Sequence, residues 1–441
     1  MFIDSSFVDF KRQPTGIPRV VLKYIENGYV WGEQHGVDVV PVVTTENGLY
    51  PVRPLPGKSP PRSASKYLKP LITDEVHGAS AAAHLREAEN AVRTALIEAG
   101  LPDAIRGVET GVASLFASLA AGTDSDSLEI VVRPGDIVFY PAYWHDLDIK
   151  LLERLKARGA MIFILVHDIL PITFAKFYKT PWREQFADNL LAAASIANGM
   201  LAVSNYTANA VMSFARENGV QLSGVRVIHN GFDPLVEDTA LRDAIDAGSF
   251  RPPYSKREFH QFFRENQPYL MVGTIEPKKG HVPVIQSFER LWRGGLQRKL
   301  ALIGRTGWLD EQVVDAIKGS PFYGDKLCWF DNADDADLYA AYRGSRALIF
   351  SSYAEGFGIP MVEAGMAELP MICYDTPIAR EVAANSASYY SNYPQFAEHI
   401  ARMEDDSTHA AQRARLGSFS WMSWREISHQ LLDHLAAVGS C

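Results

Sequence analysis

Residues 351–365, SSYAEGFGIPMVEAG, follow the apolar run ALIF and contain the pattern on which the fold prediction rests. Gly356 and Gly358 allow the backbone to come close to a ligand, and Pro360 suits the first turn of a helix whose free amides point at an anion. A short buried strand, a glycine-containing loop and a helix in this order are typical of parallel sheets. The segment therefore predicts a strand–loop–helix unit with an anion site at its loop.

The same alternation of apolar runs and helical periodicity occurs along both halves of the chain, which indicates α/β structure. In the first half, strands are predicted at 37–43, 136–140, 161–166, 200–203 and 225–228, and helices at 17–32, 147–158, 183–197 and 206–217. In the second half, strands are predicted at 269–272, 299–303, 327–330, 347–351 and 371–374, and helices at 281–293, 309–318, 335–342 and 360–367. We therefore expect two doubly wound, Rossmann-like domains.

The boundary between the two domains is predicted from a stretch with little periodicity. Residues 233–266 carry several charges and the Pro252-Pro253 pair, which is typical of a linker. We therefore expect a first domain at 1–240, a linker at 241–266 and a second domain at 267–419.

Composition limits the classes of function. The 441 residues include 43 Lys plus Arg and 52 Asp plus Glu, so the net charge is −9 and a polyanion-binding surface cannot be assumed. Asp4 stands where a signal peptide carries basic residues, and no run approaches the roughly 18 apolar residues of a membrane span. The cysteines at 328, 373 and 441 are too few for a disulfide framework or a zinc site. We expect a cytoplasmic protein that is not integral to a membrane.

Residues 51–70, PVRPLPGKSPPRSASKYLKP, combine six prolines and five basic residues with no acidic residue. This composition predicts an exposed irregular loop. The loop either is simply solvated or contacts anionic lipid or a lipid-linked substrate.

Ligand-binding residues are expected in the loops at the carboxyl ends of the strands, where open parallel sheets bind ligands. Four such loops carry unusual polar residues, namely His167-Asp168, 273–280 with Lys278 and Lys279, 304–307 with Arg305, and 351–360. The cations predict neutralisation of a diphosphate, although each is also consistent with a solvated surface charge. His167 is interpreted as a residue of the cleft or as a core histidine.

Two carboxylates lie beside the predicted phosphate site. Glu355 precedes the glycines and Glu363 follows Pro360. Because an acid repels phosphate, these residues make sense if they accept hydrogen bonds from neutral hydroxyls, the ribose of a nucleotide for one and a sugar ring for the other. The alternative is that Glu363 only favours the helix dipole and Glu355 is a solvated turn residue.

In order along the chain, these segments resemble the family 4 glycosyltransferases of GT-B architecture. The most specific part is EGFGIPMVE, in which Glu355 and Glu363 match the signature of that family; VGTIEPKKG and LIGRTGW precede it and LPMICYDTPIAREV follows it. The amino-terminal segments TGIPRVV, VHDILPITF, VSNYT and IHNGFD resemble the bacterial polysaccharide mannosyltransferase and rhamnosyltransferase branch. The resemblance covers both halves of the chain.

The resemblance implies transfer of a sugar from a nucleotide diphosphate donor with retention of configuration and with neither a metal ion nor a cofactor. By analogy, Glu363 would hold the donor ribose, Glu355 the hydroxyls of the donor sugar, and Lys279 with the loop amides the diphosphate. His167 would lie near the reacting carbon. The complete set implied comprises the catalytic residues His167, Glu355 and Lys279, the donor residues Gly16, Thr274, Lys279, Arg305, Glu355, Gly356, Phe357, Gly358 and Glu363, and the acceptor-side residues Asp168 and Arg19.

The sequence departs from the family pattern in two places. Thr274 stands where many relatives have an arginine, so Lys279 and Arg305 would carry more of the phosphate charge. The first loop reads Thr15-Gly16-Ile17-Pro18 where paired glycines are common. The segment FSWMSWREI resembles the closing helix of GT-B proteins, so we expect residues 420–441 to cross back onto the first domain.

The implied partners are a nucleotide sugar and a glycan. GDP-mannose is the favoured donor, followed by dTDP-rhamnose or a UDP-hexose, and the expected acceptor is a growing glycan on a lipid carrier, without a role for nucleic acid. The implied chemistry is front-side displacement, in which the leaving phosphate oxygen accepts the proton of the acceptor.

Three other functions are alternatives to this interpretation of the sequence. A metal-dependent GT-A transferase would use an Asp-x-Asp pair, but Asp146-Leu147-Asp148 is predicted to cap the helix that follows. A dehydrogenase would need G-x-G-x-x-G, and the loop at 356–361 lacks the third glycine. A non-catalytic sensor of nucleotide sugars remains open.

Overall fold

A computed structural model describes residues 1–6, 17–45, 48–51, 130–142, 144–146, 148–178, 180–307 and 311–439. The predictions for Gly16 and for the part of the basic loop beyond Pro51 lie outside these residues.

The first domain places helices on a sheet of short strands. Its strands are β1 (Phe2–Asp4), β2 (Val40–Thr45), β3 (Gly48–Pro51), β4 (Ile137–Tyr140), β5 (Met161–Val166), β6 (Gly199–Ala202) and β7 (Val225–Val227). Its helices are α1 (Ile17–His35), α2 (Ile149–Ala157), α3 (Leu170–Thr173), α4 (Thr180–Ile196) and α5 (Asn205–Glu217).

The second domain repeats this arrangement. Its strands are β8 (Tyr269–Val272), β9 (Leu300–Ile303), β10 (Leu327–Phe330), β11 (Ala347–Phe350), β12 (Met371–Tyr374) and β13 (Ala387–Tyr390). The helices after the first domain are α6 (Thr239–Asp246), α7 (Arg257–Asn266), α8 (His281–Arg293), α9 (Glu311–Lys318), α10 (Asp335–Gly344), α11 (Ile359–Met366), α12 (Pro377–Ala383), α13 (Tyr393–Glu404), α14 (Asp406–Leu416) and α15 (Trp424–Gly439).

The strand order fixes where each sheet can bind a ligand. Within the described residues, the first sheet has the order β3-β2-β1-β4-β5-β6-β7 and the second has the order β10-β9-β8-β11-β12-β13. Every described pair of strands is parallel except β2 with β3. The order reverses between β1 and β4 in the first sheet and between β8 and β11 in the second. The loops after β8 and β11 therefore lie side by side at a topological switch point, which is where doubly wound sheets bind ligands.

The prediction of two doubly wound α/β domains is confirmed, but the predicted linker contains helices. Residues 239–246 and 257–266 are helical, and the second of these helices packs against α10. Lys256 and His260 contact the buried Asp337 at 2.5 Å and 3.0 Å. Only two of the ten residues of α7 are buried. Because its apolar stripe is this narrow, the periodicity is hidden among charged residues.

The carboxyl-terminal helix returns to the first domain. Helix α15 packs along α1, where the Trp31 indole donates to an Asp433 carboxylate oxygen at 2.7 Å. The two segments of the chain that cross between the domains are also hydrogen-bonded to each other. The amide of Phe232 donates to the Met422 carbonyl at 2.9 Å, and the Trp421 indole donates to the Asn230 carbonyl at 2.8 Å. Two segments of the chain, hydrogen-bonded to each other, therefore connect the domains.

Candidate functional site

The loops after β8 and β11 form one bonded unit. The Ser351 hydroxyl donates to the Lys279 carbonyl at 2.6 Å, and the Tyr353 amide donates to the Lys278 carbonyl at 2.9 Å. Gly280 has a φ of 71°, and a Cβ there would lie 2.5 Å from the Ser351 carbonyl oxygen. The close approach of the two loops therefore requires glycine at this position.

Lys279 and Glu355 form an ion pair within this unit. Their side chains are 17% and 12% exposed, so water screens the pair only partly. Burial alone would raise the pKa of Glu355, but Lys279 and then Lys278 outweigh it and hold that pKa below its usual value. Glu355 is therefore a carboxylate at neutral pH, and its charge is already paired.

Lys278 faces the other domain. Burial would lower the pKa of this lysine, but the neighbouring acidic side chains raise it well above its usual value. The largest contribution comes from Glu355, followed by Tyr178, Glu276 and Asp168, and the Glu276 carboxylate lies 3.4 Å away. Asp168 and Tyr178 belong to the first domain, so acidic groups from both domains surround this cation.

Glu363 is buried and has a different set of neighbours. It is 6% exposed, and one of its oxygens, Oε2, accepts a hydrogen bond from the Tyr342 hydroxyl at 2.7 Å. The other oxygen, Oε1, lies 3.6 Å from the Arg19 guanidinium of the first domain. Burial raises the pKa of Glu363 above its usual value, although Arg19 and Tyr342 oppose the rise. Arg19 was predicted on the acceptor side, whereas its guanidinium lies beside the predicted ribose carboxylate.

His167 lies at the carboxyl end of β5, on the first-domain side of the site. Its Nε2 lies 2.7 Å from the Pro141 carbonyl oxygen. Because a carbonyl can only accept, Nε2 carries the proton and Nδ1 is left as an acceptor. Burial lowers the pKa of this imidazole, which favours the neutral form. The neighbouring Asp168 accepts from the Leu170 amide at 2.9 Å and so supports the start of α3.

The two sides of the site meet at Gly356. The Ser204 hydroxyl donates to the Gly356 carbonyl at 2.7 Å, and the Thr207 hydroxyl donates to the His167 carbonyl at 3.3 Å. A Cβ at Gly356 would overlap the His167 carbonyl oxygen. Gly356 was predicted to allow close approach of a ligand, whereas in the structure it allows close approach of the other domain.

Glu381 provides a second contact between the domains, which sequence reasoning missed. This residue of α12 accepts from the Asn205 amide at 2.7 Å and the Tyr206 amide at 2.9 Å, at the start of α5. Its carboxylate also lies 3.0 Å from His229 Nε2. A negative group at a helix amino terminus is favourable, and these bonds lower the pKa of Glu381 although burial opposes the shift.

The remaining predicted site residues lie around this centre. Gly358 has a φ of 98° and precedes α11, where a left-handed conformation favours glycine. Phe357 is 4% exposed and packs with His229 and Trp421 at ring distances of 5.8 Å and 5.7 Å. It therefore lies in the apolar contact between the domains. Thr274 and the exposed Arg305 lie on adjoining loops, which pair through the Ile275 amide and the Arg305 carbonyl.

A further prediction concerns Asp148. Asp148 accepts from the Lys150 amide at 2.9 Å, so its predicted role as a helix cap is confirmed. Among the residues that the structure describes, no group of three or more His, Cys, Asp or Glu is placed to hold a metal ion. In that same part of the chain, no helix is both long and apolar enough to cross a membrane.

The second domain is similar in sequence to a known protein family. Residues 255–418 match the family described as Glycosyl transferases group 1. The chain is 29% identical over 302 residues to a serotype-specific mannosyltransferase WbdA of Escherichia coli, in an alignment that covers 65% of this chain and 35% of WbdA. It is 25% identical over 169 residues to O-antigen chain mannosyltransferase B of Escherichia coli, which covers 37% of this chain and 44% of that protein. The chain thus spans about a third of the length of WbdA.

Comparison with solved structures covers nearly the whole chain. HepE of Anabaena, solved in complex with UDP and glucose, superposes with a TM-score of 0.55 at 15% identity and covers 99% of each chain. Sucrose-phosphate synthase of Thermosynechococcus elongatus superposes with a TM-score of 0.58 at 13% identity, covering 98% of this chain and 97% of that one. The chain therefore has the GT-B fold, and residues 255–418 match the glycosyl transferases group 1 family.

Proposed function

We propose that this protein is a retaining, metal-independent glycosyltransferase that moves a hexose from a nucleotide diphosphate donor to a glycan acceptor. The observation that carries the proposal is the pair of carboxylates at the switch point. Glu355 is bonded to the cation Lys279, and Glu363 has an oxygen directed at the cleft-side residue Arg19. A paired cation and acid suit a phosphate next to a sugar, and a buried acid suits ribose hydroxyls.

The donor would lie across the loops after β8 and β11. Lys279, Arg305 and the free amides before α11 would bind the diphosphate, because cations and helix amino termini both favour anions. Glu363 would accept from the ribose hydroxyls. Arg19 would also contact the donor, because its guanidinium lies 3.6 Å from Glu363.

Glu355 changes partners in this scheme. When a phosphate takes up the charge of Lys279, the Glu355 carboxylate becomes available to the hydroxyls of the donor sugar. His167 would face the reacting carbon from the first domain, with Nδ1 as its acceptor atom. The protein would then act by positioning both substrates and by stabilising the charge of the leaving diphosphate.

Mannose is the favoured sugar and GDP-mannose the favoured donor. The support is the similarity to WbdA and to O-antigen chain mannosyltransferase B, both of which are named as mannosyltransferases. The favoured acceptor is a lipid-linked or polysaccharide-precursor glycan at the cytoplasmic face of the membrane, with Asp168 on the acceptor side. A dTDP-rhamnose or UDP-hexose donor is the alternative, and HepE of Anabaena was solved with UDP.

A screen of donors tests the proposal. Thermal unfolding would be followed with GDP-, UDP- and dTDP-sugars, since a ligand at 100 times its Kd adds about 2.7 kcal/mol to stability. Turnover of the stabilising donor would then be measured with and without EDTA. We expect activity to survive chelation, with α-linked product from an α-linked donor. Loss of activity that magnesium or manganese restores would contradict metal independence.

The second candidate is a non-catalytic protein that senses a nucleotide sugar. It requires the same donor site, so binding alone does not separate the two. Transfer or hydrolysis of the bound donor would exclude the sensor. Binding without turnover on any lipid-linked glycan would favour it.

A further inference from the structure

Tyr342 lies beneath the proposed ribose site and donates a hydrogen bond to Glu363. It belongs to α10, is 1% exposed, and its hydroxyl donates to Glu363 Oε2 at 2.7 Å. A tyrosine hydroxyl so deeply buried needs a partner, and Glu363 supplies it. The bond leaves Glu363 Oε1 on the side of the cleft, where it lies 3.6 Å from the Arg19 guanidinium.

A carboxylate on a helix can adopt several rotamers, and a ribose contact needs one of them. The hydrogen bond from Tyr342 fixes the oxygen that points into the domain and thereby sets the direction of the other oxygen. Tyr342 itself has no room to move because it is packed in the hydrophobic core. The hydroxyl is therefore a rigid support for the glutamate.

We propose that Tyr342 is a positioning residue that holds Glu363 ionised and oriented for the two ribose hydroxyls of the donor. The inference rests on the proposed function, since it assumes a nucleotide at this site. It adds that recognition of ribose depends on a tyrosine that never touches the nucleotide.

The charges around Glu363 explain why its support matters. Burial raises the pKa of this carboxyl, and Asp335 raises it further, whereas Arg19 and the Tyr342 hydroxyl lower it. Arg19 approaches from α1, and Asp335 and Tyr342 belong to α10. Without the tyrosine hydroxyl, Arg19 alone would oppose protonation. The buried acid would then become neutral at a higher pH.

The test uses Tyr342→Phe, which removes only the hydroxyl. Calorimetric titration would measure the affinity for GDP and for 2′,3′-dideoxy-GDP, or for the corresponding pair if the donor screen selects another base. The unaltered protein should prefer the nucleotide with both hydroxyls. In Tyr342→Phe this preference should shrink by about tenfold, and the loss of GDP affinity on acidification should begin at a higher pH.

The matched control is Tyr269→Phe. Tyr269 is also fully buried and donates to a glutamate, Glu404, at 2.8 Å. It lies at the amino end of β8, whereas the loop of the site follows the carboxyl end. A general loss of stability would lower the melting temperature in both variants and leave the preference for GDP unchanged. The same preference in Tyr342→Phe as in Tyr269→Phe would overturn the inference.

Glu363→Ala separates this inference from the proposed function. If Glu363→Ala loses the preference for GDP and Tyr342→Phe retains it, the ribose site stands and the role of Tyr342 is wrong. If Glu363→Ala also retains the preference, the ribose site is wrong and the inference fails with it.

Discussion

Glu355 and Glu363 lie eight residues apart, on the loop and the helix after β11, yet their surroundings are opposite. Glu355 is bonded to a lysine and its pKa is lowered, whereas Glu363 is bonded to a tyrosine and its pKa is raised. The first is a charge that is already neutralised within its own domain. The second is a buried charge whose nearest cation, Arg19, belongs to the other domain.

Because of this difference, one short segment can bind two kinds of chemical group. A carboxylate paired with a cation can be exchanged for a phosphate at that cation, which suits a place beside a diphosphate. A carboxylate supported by a neutral hydroxyl keeps its remaining lone pairs for neutral donors. The partner of each glutamate, and not the glutamate itself, sets the role that we propose for it.

The roles proposed for Glu355 and Glu363 require a cleft that is closed against the first domain. Gly356→Ala would break that closure, because its Cβ would overlap the His167 carbonyl. We expect kcat/KM to fall by about 10²-fold, as for a misplacement of roughly 1 Å at a reacting site, with little change in the melting temperature of either domain.

Steady-state kinetics and calorimetric melting would measure both effects. Gly224→Ala is the matched control, because a Cβ there would meet no atom within 4 Å. Full activity in Gly356→Ala would show that catalysis does not need this contact.

Lys279→Met tests whether Glu355 depends on its cation. Removing one member of a largely buried ion pair leaves Glu355 with Lys278 as its remaining cation, at a cost of about 3 kcal/mol in the free energy of unfolding. Tyr342→Phe, in contrast, should cost about 1.5 kcal/mol, the lower end for a hydrogen bond to a charged group. Denaturant titration of both variants would measure the two losses in the free energy of unfolding. A larger loss in Tyr342→Phe than in Lys279→Met would contradict the difference described between the two glutamates.

Glu381→Gln tests the contact between the domains without touching either glutamate. The change weakens a carboxylate bond to the two amides at the start of α5 and to His229. If the closed arrangement loses about 1.4 kcal/mol, kcat/KM should fall about tenfold. Glu398→Gln, at an exposed residue of α13, is the control. Equal kinetics for the two variants would exclude a role for Glu381 in closure.

The pH dependence of nucleotide binding should reveal Glu363 and not Glu355. The pKa of Glu363 is raised, so its ionised form is lost as the pH falls through that raised value, above the usual glutamate pKa of about 4.3. GDP affinity should therefore decrease a few-fold on mild acidification. Glu363→Gln should remove the decrease. A decrease that persists in Glu363→Gln would assign it to another group.

The sequence predicted the fold well because its strands are short apolar runs with clear ends. The strands at 161–166, 269–272, 327–330 and 371–374 have the bounds that were expected. Strand β1 was not predicted, because its three residues are too short to show a pattern. Helix α7 was missed because its apolar stripe is narrow.

The site was predictable only where its residues follow strands. Lys279, Glu355 and His167 all follow strands along the chain, so a rule about strand ends was enough to select them. Tyr342 and Glu381 could not be found in this way. Their partners lie 21 and 176 residues away in the sequence, and neither residue stands at a strand end. The first contact joins α10 to α11 within the second domain, and the second depends on how the two domains pack.

Calorimetric titration of Glu355→Ala and Glu363→Ala tests whether the two glutamates bind different parts of the donor. Both variants would be titrated with the nucleoside diphosphate and with the intact donor. In Glu363→Ala, affinity for both ligands should fall by tens of fold, because each lost bond to a charged group is worth about 1.5 to 3 kcal/mol. In Glu355→Ala, affinity for the nucleoside diphosphate should stay nearly unchanged, while donor affinity and turnover fall. Equal losses for both ligands in Glu355→Ala, or no loss in Glu363→Ala, would contradict the account.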